Sequence, residues 1–200
     1  MDTLNQEKKN GSKTSLTPWI VLAVCVLPIL ASTGLYFLWK PSNFVNNGEL
    51  IGPRPISHLR LKAVSRDVFS FSELDGGWAF VAIDQNYCDD TCQTKLYLMR
   101  QIRLTQGAEK ERINRVHLFS GGAIDDAELL TKYDGTIFVS LENVDQLKVF
   151  GDETDLSRYI FLVDQIGNLM MRFPVDINPS LIKKDVTKLL KLSKGWKTVN

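Results

Sequence analysis

The sequence predicts an α/β domain, a central sheet with helices packed on it, carried behind a single membrane-spanning helix. Two observations carry that prediction. An uncharged apolar run extends from Trp19 to Trp39. Beyond it, short apolar runs of strand length alternate with stretches whose apolar residues recur at helical spacing. The chain has 200 residues, 44% hydrophobic and 24% charged, with a formal net charge of +1. That composition suffices for one core, and the near-neutral balance gives no reason to expect nucleic acid as a partner.

The run WIVLAVCVLPILASTGLYFLW meets the length of about 20 residues that a helix needs to cross the hydrocarbon. Trp19 at one end, and Tyr36 and Trp39 at the other, suit the two interfaces. A cleaved signal peptide is the competing reading. The run exceeds the usual apolar core of about 7–15 residues, and no A-x-A cleavage pattern follows it. Pro28 is expected to kink the helix, and Cys25 to behave as a small hydrophobe. Lys8, Lys9 and Lys13 precede the span, whereas Lys40 and then only Arg54 follow closely, so the N-terminus is expected in the cytoplasm. The rest of the chain would then lie outside, in a bacterium the periplasm behind the inner membrane, where paired thiols can oxidise. The expected organisation is a cytoplasmic tail over 1–18, a transmembrane helix over 19–39, a tether or extended arm over 40–66, and the domain over 67–195.

The elements follow in order. Lys40–Ile56, rich in Pro, Asn and Gly with no helical period, reads as the tether. WAFVAI (Trp78–Ile83) has the continuous apolar pattern of a strand buried on both faces. In Gln93–Leu104, Leu96, Met99 and Ile102 recur at helical spacing, and Gly107 supplies a stop. RVHLF (Arg115–Phe119) is a second buried strand, and Asp125 and Asp126 can cap a helix over Ala127–Lys132. YIFLV (Tyr159–Val163) and LMMRF (Leu169–Phe173) flank the Gly-containing turn DQIGN as a hairpin. Asn178-Pro179 opens a last helix with Leu181, Ile182, Val186, Leu189 and Leu190 on one face. The order strand, helix, strand, helix, hairpin, helix is the connectivity of a thioredoxin-like fold.

Between the first strand and its helix stands YCDDTC, with Cys88 and Cys92 four apart. Residues four apart on a helix share a face at Cβ separations of about 5–6 Å, so a modest adjustment closes a disulfide. A helix N-terminus stabilises a thiolate, while Asp89 and Asp90 oppose it. Two thiolates also form part of a copper site, which normally recruits an imidazole. Only His58 and His117 are present. His117, inside a strand pattern, reads as a packed core residue, and His58, just past the tether, as a surface one. A zinc site lacks the further ligands it would need. A redox pair, a fragment of a metal site and a structural staple all remain open from the residues alone.

The stretch LDGGWAFVAIDQNYCDDTC (Leu74–Cys92) resembles the Sco/SenC family of membrane-anchored cytochrome c oxidase assembly proteins. Leu74, Gly76 and Trp78 match the family's L-x-G-x-W lead-in, and Cys88, Asp90 and Cys92 match its C-P-D-x-C motif. The resemblance spans roughly Val68 to Leu192 and is specific around the cysteines. It implies a thioredoxin-like fold, an N-terminal anchor and a part in building the copper centre of the oxidase. It makes Cys88 and Cys92 a candidate dithiol and candidate copper ligands, with copper the one cofactor implied. Its implied partners are the membrane and the oxidase's copper-binding subunit or another assembly factor. The family's histidine does not carry over, because Leu156 follows Asp155 where the imidazole would stand. The motif prolines are replaced by Asp89 and Gln93.

The expectation is a thiol–disulfide or copper-handling factor. Cys88 would be the attacking thiolate, Cys92 the resolving thiol, and Asp90 a residue that tunes their acidity or meets the partner. The alternative is a non-catalytic scaffold that keeps the fold and a structural disulfide. Lys183, Lys184, Lys188, Lys191, Lys194 and Lys197 read as a solvated face, Met170-Met171 as core, and the basic residues between Arg100 and Arg115 as ordinary surface.

Overall fold

The computed structural model describes residues 16–38, 46–64, 66–74, 76–85, 87–120, 126–141, 143–151 and 156–195. The chain divides into two units, Met1–Phe44 and Val45–Asn200. In the first, helix α1 spans Thr17–Leu38 with Pro28 inside it. It is long and apolar enough to cross a membrane. Trp19, Leu27, Ile29 and Phe37 are all largely exposed within the unit, so the helix is apolar on every side. Trp39 and the N-terminal lysines lie outside the described residues.

The second unit is built on one mixed sheet. Its centre is two parallel strands, β4 (Trp78–Gln85) and β5 (Ile113–Ser120), connected through helix α2 (Asp90–Leu104). Helix α3 (Ala127–Lys132) leads to β6 (Ile137–Leu141), parallel to β5. The hairpin of β7 (Tyr159–Val163) and β8 (Asn168–Pro174) lies antiparallel on the other side of β4. Strand β1 (Glu49–Pro55) extends the sheet beyond β8, and β2 (Leu61–Ala63) and β3 (Arg66–Phe69) extend it beyond β6. The full order is β1-β8-β7-β4-β5-β6-β2-β3. Helix α4 (Pro179–Leu192) completes the unit.

Alternation along the strands sorts side chains onto two faces. Phe80 and Ala82 meet Leu96 and Met99 of α2 and Ile182 and Val186 of α4 in one apolar cluster. Val81, Ile83, Val116 and Leu118 meet Phe69, Phe150 and Leu156 in the other. Both faces of β4 are thus covered, which is why its sequence is a continuous apolar run rather than an alternating one.

The anticipated strands, helices and hairpin form. Asn178 caps α4 by accepting from the Ser180 amide at 2.9 Å, with Pro179 in the first turn. Asp126 caps α3 through the Leu129 amide, while Asp125 lies outside the described residues. In the hairpin turn Asp164 Oδ1 accepts from the Ile166 and Asn168 amides, and Gly167 takes a φ of 82°.

Within the segment read as tether or arm, Glu49–Pro55 pairs with β8. Pro53 and Pro55 obscure that strand in the sequence, yet at a sheet edge a missing N–H is tolerated. Arg172 grips Glu49 with two hydrogen bonds of 2.7 and 2.8 Å across the pair. Asp185 of α4 accepts from the Asn47 and Gly48 amides just before it. Arg115, expected on the surface, is buried, and its Nη2 donates to the Asp134 carbonyl at 2.7 Å.

Candidate functional site

Strand β4 delivers the chain to Cys88, and Asp89 turns it into α2. The Asp89 Oδ1 accepts from the Cys92 amide at 2.8 Å, so the helix starts at Asp90, earlier than the apolar spacing indicates. Cys88 and Cys92 are joined as a disulfide with their Cα atoms 5.1 Å apart. Cys88 is half-buried and Cys92 wholly buried. Of the two, Cys88 is the less buried. The Asp90 carboxylate belongs to an exposed residue, and Asp89, not Asp90, is the acid bonded to the pair's backbone.

A charged cluster lies behind the disulfide. Lys95, one helical turn past Cys92, is fully buried, and its Nζ donates to Asp84 Oδ1 at 2.6 Å and to the Ile83 carbonyl at 2.8 Å. The other Asp84 oxygen is 2.6 Å from His117 Nε2, which lies 3.7 Å from Cys92 Sγ. Donor atoms of Asp84, Cys92 and His117 all fall within 4.8 Å of one another.

The strands explain this meeting. In the parallel register Ala82 stands beside His117 and Asp84 beside Phe119. Asp84 and His117 are then diagonal neighbours on the face that α2 covers. The His117 ring packs on Phe119 and Phe138, with centroids 4.0 and 5.8 Å away.

Burial pushes the His117 pKa below its ordinary value, opposed by the bond to Asp84 and reinforced by the Lys95 charge. Burial likewise lowers Lys95, opposed by Asp84 and then by Asp89. The arrangement is a buried Asp84–Lys95 ion pair beside a neutral imidazole whose Nε2–H points at Asp84, a tautomer assigned from that contact. The His117 Nδ1 has no hydrogen-bond partner among the described residues.

Chemically, the site offers one reachable sulfur, one sheltered sulfur, and a proton acceptor next to the sheltered one. On reduction the acceptor available to the Cys92 S–H would be the Asp84 carboxylate, within 4.8 Å of the sulfur, because His117 Nε2, at 3.7 Å, carries its own proton.

The sequence marks the cysteines and misses the cluster. His117, read as a packed histidine, is packed and also touches Cys92 Sγ. Asp84 at the end of an apolar strand pattern, and Lys95 in the buried stripe of α2, are the available signals, since charged residues are rarely fully buried without partners. His58 is exposed, as expected. Leu156 is buried, with its side chain in the apolar cluster on the opposite face from Cys92. Leu156 and Ser157 nevertheless line a small cavity with Asp84, Gln85 and Ser120, so their turn borders the site. Asp155 lies outside the described residues. Met171 is core, and Met170 packs against it.

A family model described as transmembrane-like, thioredoxin-like, C-terminal domain matches residues 78–193, more than half of the chain. No curated protein matches it in sequence. Among solved structures, a SCO1/SenC family lipoprotein from Bacillus anthracis is 14% identical, with a TM-score of 0.53 covering 72% of this chain and 98% of that one. Yeast Sco1 with copper bound is 16% identical, with a TM-score of 0.53 covering 74% and 95%. A putative thiol:disulfide interchange protein DsbE from Chlorobium tepidum is 15% identical, with a TM-score of 0.51 covering 72% and 98%. At these identities the likeness is one of fold, and the fold is thioredoxin-like.

Proposed function

The chain belongs to the transmembrane-like, thioredoxin-like family, and on that premise we propose a membrane-anchored thiol–disulfide and copper-handling factor that acts in assembly of the cytochrome c oxidase copper centre. The observation that carries the reading is the paired sulfurs, Cys88 half-buried and Cys92 buried, at the start of α2 and in front of a buried acid–base pair. α1 is its anchor, with the N-terminus in the cytoplasm and the domain on the periplasmic side of a bacterial inner membrane. Its partner is the oxidase subunit that receives copper, or another assembly factor.

In the reducing direction the Cys88 thiolate attacks a disulfide of the partner and forms a mixed disulfide, releasing one partner thiolate. Cys92 then loses its proton to the Asp84 carboxylate and attacks the Cys88 sulfur. The Cys88–Cys92 bond forms, the mixed disulfide breaks, and the partner leaves as a dithiol, two electrons richer. Cys92 is sheltered from competing thiols, so resolution is intramolecular. Copper is the candidate cargo of the reduced pair, because thiolates are its preferred soft donors. The yeast Sco1 structure holds copper, which supports that assignment on the shared fold.

Deleting the gene in its own host and measuring oxidase activity tests the reading. Wild-type protein should restore activity, and Cys88→Ser and Cys92→Ser forms should fail although they reach the membrane in equal amount. Full restoration by both cysteine variants would refute it.

A further inference from the structure

We infer that the exposed lysine face of helix α4 is a docking surface for the anionic phospholipid headgroups of the membrane that α1 spans. The inference rests on the reading of α1 as an anchor and is independent of the thiol and copper chemistry.

Lys183, Lys184, Lys188 and Lys191 are all exposed, and their spacing gathers them on one side of α4. None of the four ammonium groups has a hydrogen-bond or ion-pair partner among the described residues. Other cations of the domain are answered by carboxylates: Arg112 and Lys194 by Glu109, Lys148 by Asp145, and Arg172 by Glu49. The one acid in α4, Asp185, is buried. An ordinary solvated helix face mixes the two signs of charge, and this one does not. Like charges a turn apart, as at Lys184 and Lys188, repel, so the face gains by meeting negative charge.

Asp185 also fixes where this face stands along the chain. Its carboxylate accepts from the Asn47 backbone amide at 2.6 Å, the Asn47 side-chain amide at 2.8 Å and the Gly48 amide at 2.9 Å. Asn47 is nine residues beyond Leu38, the end of α1. Nine residues reach about 30 Å when fully extended. The covalent chain therefore keeps this part of α4 within that distance of the point where it leaves the span, and Lys188 lies one turn further on. A lipid surface is thus the anionic partner that the chain itself holds within reach. Lysine near an anionic leaflet shifts the bound population by about fivefold, and the effect compounds over several charges. Leu192, next to Lys191 and 69% exposed, adds an apolar side chain of the kind that enters the headgroup layer.

The test uses full-length protein in nanodiscs of phosphatidylcholine with and without phosphatidylglycerol, lightly acetylated with uncharged acetic anhydride and read lysine by lysine by mass spectrometry. Lys183, Lys184, Lys188 and Lys191 are expected to react at least about threefold more slowly in the anionic discs. The protection should fade as salt rises from about 0.1 M to about 1 M, where the screening length falls from about 10 to about 3 Å. Lys148, on the segment Val144–Val149 that packs into the cluster on the other sheet face, should react equally in both discs. Equal reactivity of the four α4 lysines in the two discs would overturn the inference and leave the anchor standing. Protection in native membranes but not in anionic discs would also overturn it, in favour of an acidic protein as the occupant. Failure to incorporate into either disc would overturn the anchor reading and the inference with it.

Discussion

Replacing Cys92 with serine is expected to stall the protein as a mixed disulfide with its partner and to lower steady thiol exchange by about 100-fold or more. Cys88, the less buried of the two, is the proposed attacking sulfur, so attack still occurs in the variant. Release depends on a thiol that stands across a single disulfide bond from Cys88 and needs no diffusional encounter. Well-oriented intramolecular groups act at effective concentrations that reach about 10⁵ M, and external thiol at millimolar levels replaces only a small part of that advantage. Cys88→Ser removes the attack itself and should trap nothing. Non-reducing gels of the membrane fraction separate the outcomes. A partner adduct in Cys92→Ser alone is expected, and adducts of equal yield in both variants, or in neither, would contradict the division of roles.

Lys95→Ala is expected to cost about 3–5 kcal/mol of stability at neutral pH, the scale of breaking a buried ion pair from one side. The Lys95 ammonium is the one that meets Asp84 Oδ1, in a position with no solvent to substitute for it. Asp84 would be left with His117 as its remaining partner. Removing the Lys95 charge raises the His117 pKa relative to wild type, because that charge is one of the influences holding it down. The folded variant then keeps more of the His117 proton than folded wild type does, so its deficit narrows as the pH falls from about 8 towards 6 and widens as it rises. Pairing Lys95→Met with Asp84→Leu should recover much of the loss, since the lone buried charge is gone. Chemical denaturation across pH checks this. A loss under about 1 kcal/mol, or a deficit that grows on acidification, would show that the pair is not the buried unit described above.

How much of this was legible in the sequence varies by element, for physical reasons. Strand β4, helices α2 and α4 and the β7–β8 hairpin announce themselves because each carries its own periodicity and its own stop signals. Strand β1 does not, because Pro53 and Pro55 read as loop, and only β8 and the Glu49–Arg172 contact make the segment a strand. Strand β6 is a five-residue piece with a half-buried Ser140, too short to display a period. The cysteines are visible as a spaced pair next to a strand and a helix. The cluster behind them is not, since Asp84, Lys95 and His117 come from three elements and acquire meaning only through strand register and the inward turn of one lysine. A charged residue inside an apolar pattern is the trace that such a site leaves in one dimension.

The proposed function stands on whether the Cys88–Cys92 bond is made and broken during the protein's work or merely staples the start of α2. The reduction potential of the pair in the intact, membrane-anchored protein, measured in glutathione or dithiothreitol buffers with alkylation of Cys88 as the readout, tests this most directly. A half-buried sulfur at a helix start predicts a potential within the range of exchanging proteins, about −120 to −270 mV, with rapid alkylation of Cys88 once reduced. A potential below about −300 mV, with Cys88 shielded from alkylation, would contradict it and identify the bond as structural.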